Sequence, residues 1–191
     1  MRYLDKIDEY LDESIKTLQA IKEQDKDLSA IADKIAETRE KDGTVYIMGN
    51  GGSASTASHM TGDLLKTAIR AGEKRFKVMS LSDNVPVVLA WANDAAYETV
   101  FEEQLKNFLT KKDLVIGISG SGNSKNVLNA IGYANKTGAY TIGVTGMGGG
   151  KLAQTARLSW IVPSDLMYRI EDFHLLLNHA LVYAFLKAED S

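Results

Sequence analysis

The chain has 191 residues, 45% of them apolar and 25% charged, enough for one compact domain to bury a substantial core without covalent or metal staples. It contains no cysteine, which excludes a disulfide framework, a thiolate nucleophile and a Cys-ligated zinc, so a metal would have to use His, carboxylate or amide ligands. The net charge is −3 with Lys and Arg interspersed among Asp and Glu, so no basic face presents itself to a phosphate backbone and nucleic acid is not an expected partner.

The first residues, MRYLDKIDEYLDESIK, alternate charge with apolar side chains and lack the basic-then-apolar order of a secretion signal, which makes a cytoplasmic location the expectation. Leu4, Ile7, Leu11, Ile15, Leu18 and Ile21 recur at three- and four-residue spacing and form one stripe of a helix. A second helix is expected from about Lys26 to Glu40, ending at Lys41-Asp42-Gly43. The stripe of this leading pair, residues 1–42, can pack on its own domain or on another subunit. From Thr44 short β-branched runs alternate with helical stretches. TVYIM precedes a helix near Ser53 to Ile69, FKVMSL precedes VPVVLAWAN, and DLVIGI precedes SKNVLNAIGYANK. AYTIGVT then precedes GKLAQTA, and LSWIVP precedes a helix from about Leu166.

Such β-α-β units imply an α/β fold, a doubly wound five-stranded parallel sheet flanked by helices. The expected order is the flavodoxin-like 2-1-3-4-5, with the first and third strands adjacent. The stretch LLLNHALVYAFL is broken by Asn178 and His179 and is too short to span a bilayer. Two prolines, no low-complexity tract and no Ser/Gly linker leave nowhere to divide the chain, so residues 1–191 are expected to form a single domain.

The turns after the first and third strands are GNGGSAS and SGSGNS, and the expected strand order points both at one crevice beyond the carboxyl ends of the strands. Glycines there let backbone N–H groups approach a ligand, and the following helix adds unpaired donors. Ser119, Ser121 and Ser124 add neutral hydroxyl donors suited to a phosphomonoester. A single such loop is commonly only a turn with Asn123 or Ser124 as a helix cap; two at one switch point favour binding. The stretch Gly49 to Ala54 also fits the dinucleotide pattern GxGxxA. The second strand, however, runs on to Asp83, past the spacing of the ribose-binding acid, and neither loop continues to a Walker lysine, so no nucleotide cofactor is expected.

His59 and Asp63 stand four apart on one helical face, while Glu171 and His179 are eight apart and displaced by about 80° around theirs. Two imidazoles and two carboxylates suit zinc or a similar divalent ion, but on amphipathic helices such residues are often surface charges or satisfied core polars.

GNGGSASTASH, the ND of WANDAAYE, ISGSGNS, TGMGGGKLA and RIEDFHLLLNH resemble successive motifs of the SIS (sugar isomerase) domain, in particular bacterial phosphoheptose (sedoheptulose 7-phosphate) isomerases. The likeness covers nearly the whole chain. It implies a phosphorylated sugar as substrate, bound by Asn50, Gly51, Gly52, Ser53, Asp94, Ser119, Gly120, Ser121, Ser124 and Glu171. It implies a divalent metal, zinc or similar, on His59, Asp63, Glu171 and His179, with Asp63 as base and His179 as acid of an enediol mechanism. It also implies a homotetramer with sites shared between subunits, in which the 1–42 helical pair serves oligomerisation. Phosphoheptose isomerases have glutamate where Asp63 stands and glutamine where Glu171 stands. The alternatives are an isomerase of another phosphosugar and a catalytically silent SIS protein that binds a phosphosugar or a protein partner.

The remaining polar and aromatic residues have plainer readings. His174 reads as a core or interface histidine, and Asp172 and Asn178 as helix-surface or interface groups. Trp91, Trp160, Met48, Met60 and Met79 read as core. Arg169 is the one further candidate for the substrate phosphate.

Overall fold

The structure is a computed structural model that describes residues 3–23 and 25–188; residues 1, 2 and 24 of the expected leading helical pair lie outside the described residues. Two helices, α1 (Leu4–Lys22) and α2 (Asp25–Glu40), precede five strands: β1 (Thr44–Met48), β2 (Lys77–Ser80), β3 (Leu114–Ser119), β4 (Tyr140–Thr145) and β5 (Leu158–Ile161). The strands pair in parallel in the order β2-β1-β3-β4-β5, as the sequence leads one to expect. The connecting helices are α3 (Gly52–Gly62), α4 (Val85–Asp94), α5 (Val100–Lys106), α6 (Lys125–Thr137) and α7 (Gly150–Thr155), and α8 (Met167–Lys187) closes the order of elements.

The central strands are buried along their length because helices cover both faces of the sheet. One face packs Ile47, Ile116, Ile142 and Trp160 against α2, α3 and α8; the other packs Tyr46, Met48 and Val115 against α5, α6 and α7. α6 ends where Gly138 turns left-handed at φ 91°, and the amides of Gly138 and Ala139 close back on the Ala134 carbonyl. α4 starts at Asn84, whose side chain accepts from the Val87 amide, with Pro86 in the first turn.

Several details differ from the sequence expectation. α5 is only seven residues long, too short for periodicity to announce it, and is fixed by tertiary contacts: Val100, Phe101 and Leu105 are buried, and Gln104 Nε2 donates to the Leu81 carbonyl at 3.0 Å. The helix expected from Ser53 to Ile69 becomes a π turn over Asp63–Thr67, where the Ala68 amide reaches back to the Asp63 carbonyl at 2.8 Å. Met79 is exposed rather than core because β2 is an edge strand with one open face, and Trp91 is only half-buried on α4. Met48, Met60 and Trp160 are buried as expected.

In the leading helix the apolar stripe is present but uncovered: Leu4, Ile7, Leu11, Ile15 and Leu18 are exposed, and only Thr17 and Ile21 are buried. α1 is held to α8 by polar contacts instead. The Tyr10 hydroxyl donates to Asp172, and the Arg169 guanidinium lies 5.3 Å from the centre of the Tyr10 ring. Both residues therefore serve the clasp between these helices. No helix among the described residues is long and apolar enough to cross a membrane.

Candidate functional site

β1 and β3 are neighbours in register, Met48 opposite Gly117, so the turns that follow them open side by side at the carboxyl edge of the sheet. In the first turn Gly51 has φ 55° and ψ −123°, a conformation closed to other residues. In the second, Gly122 has φ 65°, and a Cβ there would stand 2.0 Å from the Gly149 carbonyl oxygen. That closeness explains TGMGGGK. The Gly-rich segment after β4 packs beneath the SGSGNS turn, with the Gly146 amide donating to Gly120 O and the Leu152 amide to Gly122 O, both at 2.9 Å.

Together the turns enclose a cavity of about 270 Å³ lined by Asn50, Gly51, Gly52, Ser53, Ser119, Gly120, Ser121, Ser124 and Glu171, with Ile118 and Met167 as its apolar wall. Ser119 and Ser124 share a hydrogen bond of 3.0 Å between their hydroxyls, so Ser124 faces the cavity wall and makes no side-chain cap to α6. Asn50 has both ends of its amide engaged. It exchanges bonds of 2.9 and 2.8 Å with the Asn126 amide, and its Oδ1 also accepts from Tyr97 OH at 2.7 Å. Its side chain thus stiffens the wall. Tyr97 and Asn126 escape local sequence reasoning because their meeting with Asn50 is wholly tertiary.

Asp94, by contrast, is exposed at the end of α4, accepts from Asn93 Nδ2 at 2.7 Å, and does not line this cavity. A larger hollow of about 620 Å³ lies at the sheet edge beside Met79, Pro86 and Phe108. Its single ionisable group is Asp83, and it has none of the convergent glycine and serine donors.

The ionisable candidates gather where α3 packs on α8. His59 Nε2 lies 3.1 Å from His179 Nε2 and 3.3 Å from Asp63 Oδ2, and His179 Nε2 lies 3.9 Å from the same oxygen. Asp63 opens the π turn. Asn178 Nδ2 donates to Asp63 Oδ2 at 2.8 Å. Asn178 is therefore not a surface group: it is 1% exposed.

Two imidazole nitrogens face each other across a gap that holds at most one proton, beside a carboxylate oxygen, and all three donor atoms lie within 4.8 Å of one another. Metal bonds of about 2.0–2.1 Å in tetrahedral array put ligand atoms about 3.3 Å apart, so the donors present fit a zinc-like ion. Glu171 does not join this trio. It lies against the first turn of α3, where a Cβ on Gly52 would come within 2.3 Å of its Oε1.

His174 is core, as expected. It is 1% exposed, and its Nε2 bonds the Thr145 carbonyl at 3.1 Å. Burial pulls its pKa down to about 4, partly opposed by that bond, so at neutral pH Nε2 carries the hydrogen and donates.

Residues 9–146 match the family model described as SIS domain. The chain is 39% identical over 173 residues to a phosphoheptose isomerase of Helicobacter pylori (strain P12), covering 91% of this chain and 86% of the relative. It is 38% identical over 148 residues to a phosphoheptose isomerase of Aquifex aeolicus, covering 77% of each. Among solved structures, phosphoheptose isomerase from Neisseria gonorrhoeae superposes with a TM-score of 0.89 at 26% identity, covering 96% of this chain and 98% of the other.

Proposed function

We propose that this chain, which belongs to the SIS domain family and within it is a phosphosugar isomerase, interconverts sedoheptulose 7-phosphate and an aldoheptose 7-phosphate through an enediol. The observation that carries the reading is the cavity built from both glycine-serine turns, beside a helix pair that also bears His59, Asp63 and His179.

The phosphate is received by backbone amides of the two turns and by the hydroxyls of Ser53, Ser119, Ser121 and Ser124, donors that need no counter-charge. Glu171 closes the cavity on the sugar side, and Asp94 is assigned to the sugar in the assembled protein. Along α3, His59 stands seven residues beyond Gly52, a rise of about 10 Å. Phosphate and carbonyl chemistry thus occupy separate stations along the helices, and the assembly brings them to one substrate. The protein works as a homotetramer whose subunits share sites.

Isomerisation takes a proton from the hydroxyl-bearing carbon and returns it to the former carbonyl carbon. One carbon is oxidised as its neighbour is reduced, so no external oxidant is needed. Asp63 carries that carbon proton, and His179 exchanges the proton that moves between the oxygens. A zinc-like ion, held by His59, Asp63 and His179, would supply polarisation of the substrate oxygens. An Asp63 oxygen that holds an ion is a poor base, which leaves Oδ1 for the proton, because Oδ2 already faces both imidazoles.

A panel of phosphorylated ketoses assayed with and without chelator tests the reading. Turnover on the seven-carbon substrate, loss on chelation and rescue by zinc are the expected results, with Asp63→Asn and His179→Ala each inactive and still folded by circular dichroism. Inactivity of the parent across the panel, or parental turnover from either variant, overturns it.

A further inference from the structure

Among the described residues the amide of Asn178 is the one buried polar group aimed at the Asp63 carboxylate, and the active-site reading leaves it without a task. α8 is apolar where it packs, with Leu177, Leu181 and Val182 buried around this position. Asn178 is 1% exposed among them and its Oδ1 has no partner. A leucine would fill the site without stranding an acceptor, so packing alone does not account for an asparagine. What the amide does provide is one donor, Nδ2, at 2.8 Å from Asp63 Oδ2, the same oxygen that His59 Nε2 meets at 3.3 Å.

Two consecutive residues of α8 thus engage two residues one turn apart, His59 of α3 and Asp63 at the start of the π turn that follows it: Asn178 holds Asp63 while His179 faces His59. The pairing also orients the carboxylate. With Oδ2 fixed between an amide and the imidazoles, the carboxyl plane is set and Oδ1 stays free. A neutral donor does this without cancelling the negative charge, which a lysine or arginine in its place would do.

We infer that Asn178 is a positioning residue that locks the Asp63 carboxylate in the orientation its chemistry requires, resting on the isomerase reading of the cluster. Through Asp63 it governs how tightly the cluster holds a divalent ion and how well the carboxylate moves a proton; Asn178 itself touches neither substrate nor ion.

The test compares the full-length parent with Asn178→Leu and the smaller Asn178→Ala, neither of which has a side chain that can donate to Asp63. Three readouts are taken: zinc affinity by chelator competition without substrate, kcat and KM separately, and ring-nitrogen NMR of His59 and His179 in metal-free protein. In both variants zinc is expected to bind roughly 10–100-fold more weakly. kcat is expected to fall at least tenfold with KM within threefold, and the His59 ring signals to shift. Thermal stability of the leucine variant is expected to equal or exceed the parent's, since the unpartnered oxygen is gone.

A folded variant of either kind with zinc affinity, kcat and His59 signals all at parental values overturns the inference. Should the leucine variant not fold, the alanine variant decides by the same three measures. A parent with no isomerase activity would defeat the functional reading alone, because the histidine signals and zinc affinity still report whether Asn178 sets Asp63.

Discussion

The three histidines show how far residue type alone can mislead, since neighbours give the same side chain opposite roles. His174 is buried, and its pKa of about 4 lies below the ordinary value of 6.5, so folding favours the neutral ring. Its stabilisation is fully present above pH 6.5 and is lost as pH falls from there toward 4, a depression worth on the order of 3 kcal/mol. Urea midpoints between pH 7 and pH 4 should therefore fall more steeply for the parent than for His174→Phe; equal slopes would contradict the assignment. Glu171 poses the reverse problem, a carboxylate lining a cavity assigned to a phosphate. Repulsion at several ångströms through a partly aqueous path costs about 1 kcal/mol. Without added metal, Glu171→Gln should accordingly tighten phosphosugar binding roughly fivefold by calorimetric titration, and weaker binding would show that the carboxylate serves the substrate directly. His59, Asp63 and the serines were legible from spacing and motif. Asn178 was not, because its partner lies 115 positions away and a helical wheel gives no view across two helices.

At the scale of elements, the alternation of β-branched runs and helices announced the sheet and its order, since parallel strands buried on both faces leave that pattern with little ambiguity. What remained hidden was set by tertiary contact. α5 exists because Phe101 and Leu105 have a core to enter, and the π turn at Asp63 adds a residue that no periodicity records. The glycine turns were visible, but the reason for the third glycine cluster was not. It supports the SGSGNS turn from below, so the two loops form one unit. Gly122→Ala tests this. The left-handed backbone at φ 65° costs about 1 kcal/mol for a residue with a Cβ, and the new atom would stand 2.0 Å from the Gly149 carbonyl, forcing both loops apart. Phosphosugar affinity should collapse with stability reduced by more than the backbone term alone, as read by calorimetric titration and thermal melting. Gly132→Ala, in the helical interior of α6 with open space at its Cβ, should leave affinity at the parental value and stability equal or raised. Equal behaviour of the two variants would refute the coupling.

For the whole molecule, the open question is what covers α1. Leu11 is 52% and Ile15 55% exposed on a helix whose only buried residues are Thr17 and Ile21. Leu4, Ile7 and Leu18 continue the same stripe, so a contiguous apolar face points away from the chain's own core. Full cover of each such side chain is worth about 1.5–3 kcal/mol, and a symmetric contact between copies counts every residue twice. Leu11→Glu with Ile15→Glu places charges on that face while touching nothing buried, so each chain should keep its far-ultraviolet spectrum. Light scattering should show the parent as a tetramer and the double variant as a smaller species. If subunits share sites, kcat must fall with assembly and recover when high concentration or a stabilising salt drives association. An unchanged mass would show that this stripe is not the subunit contact, and a smaller species with parental kcat would show that each chain holds a complete site.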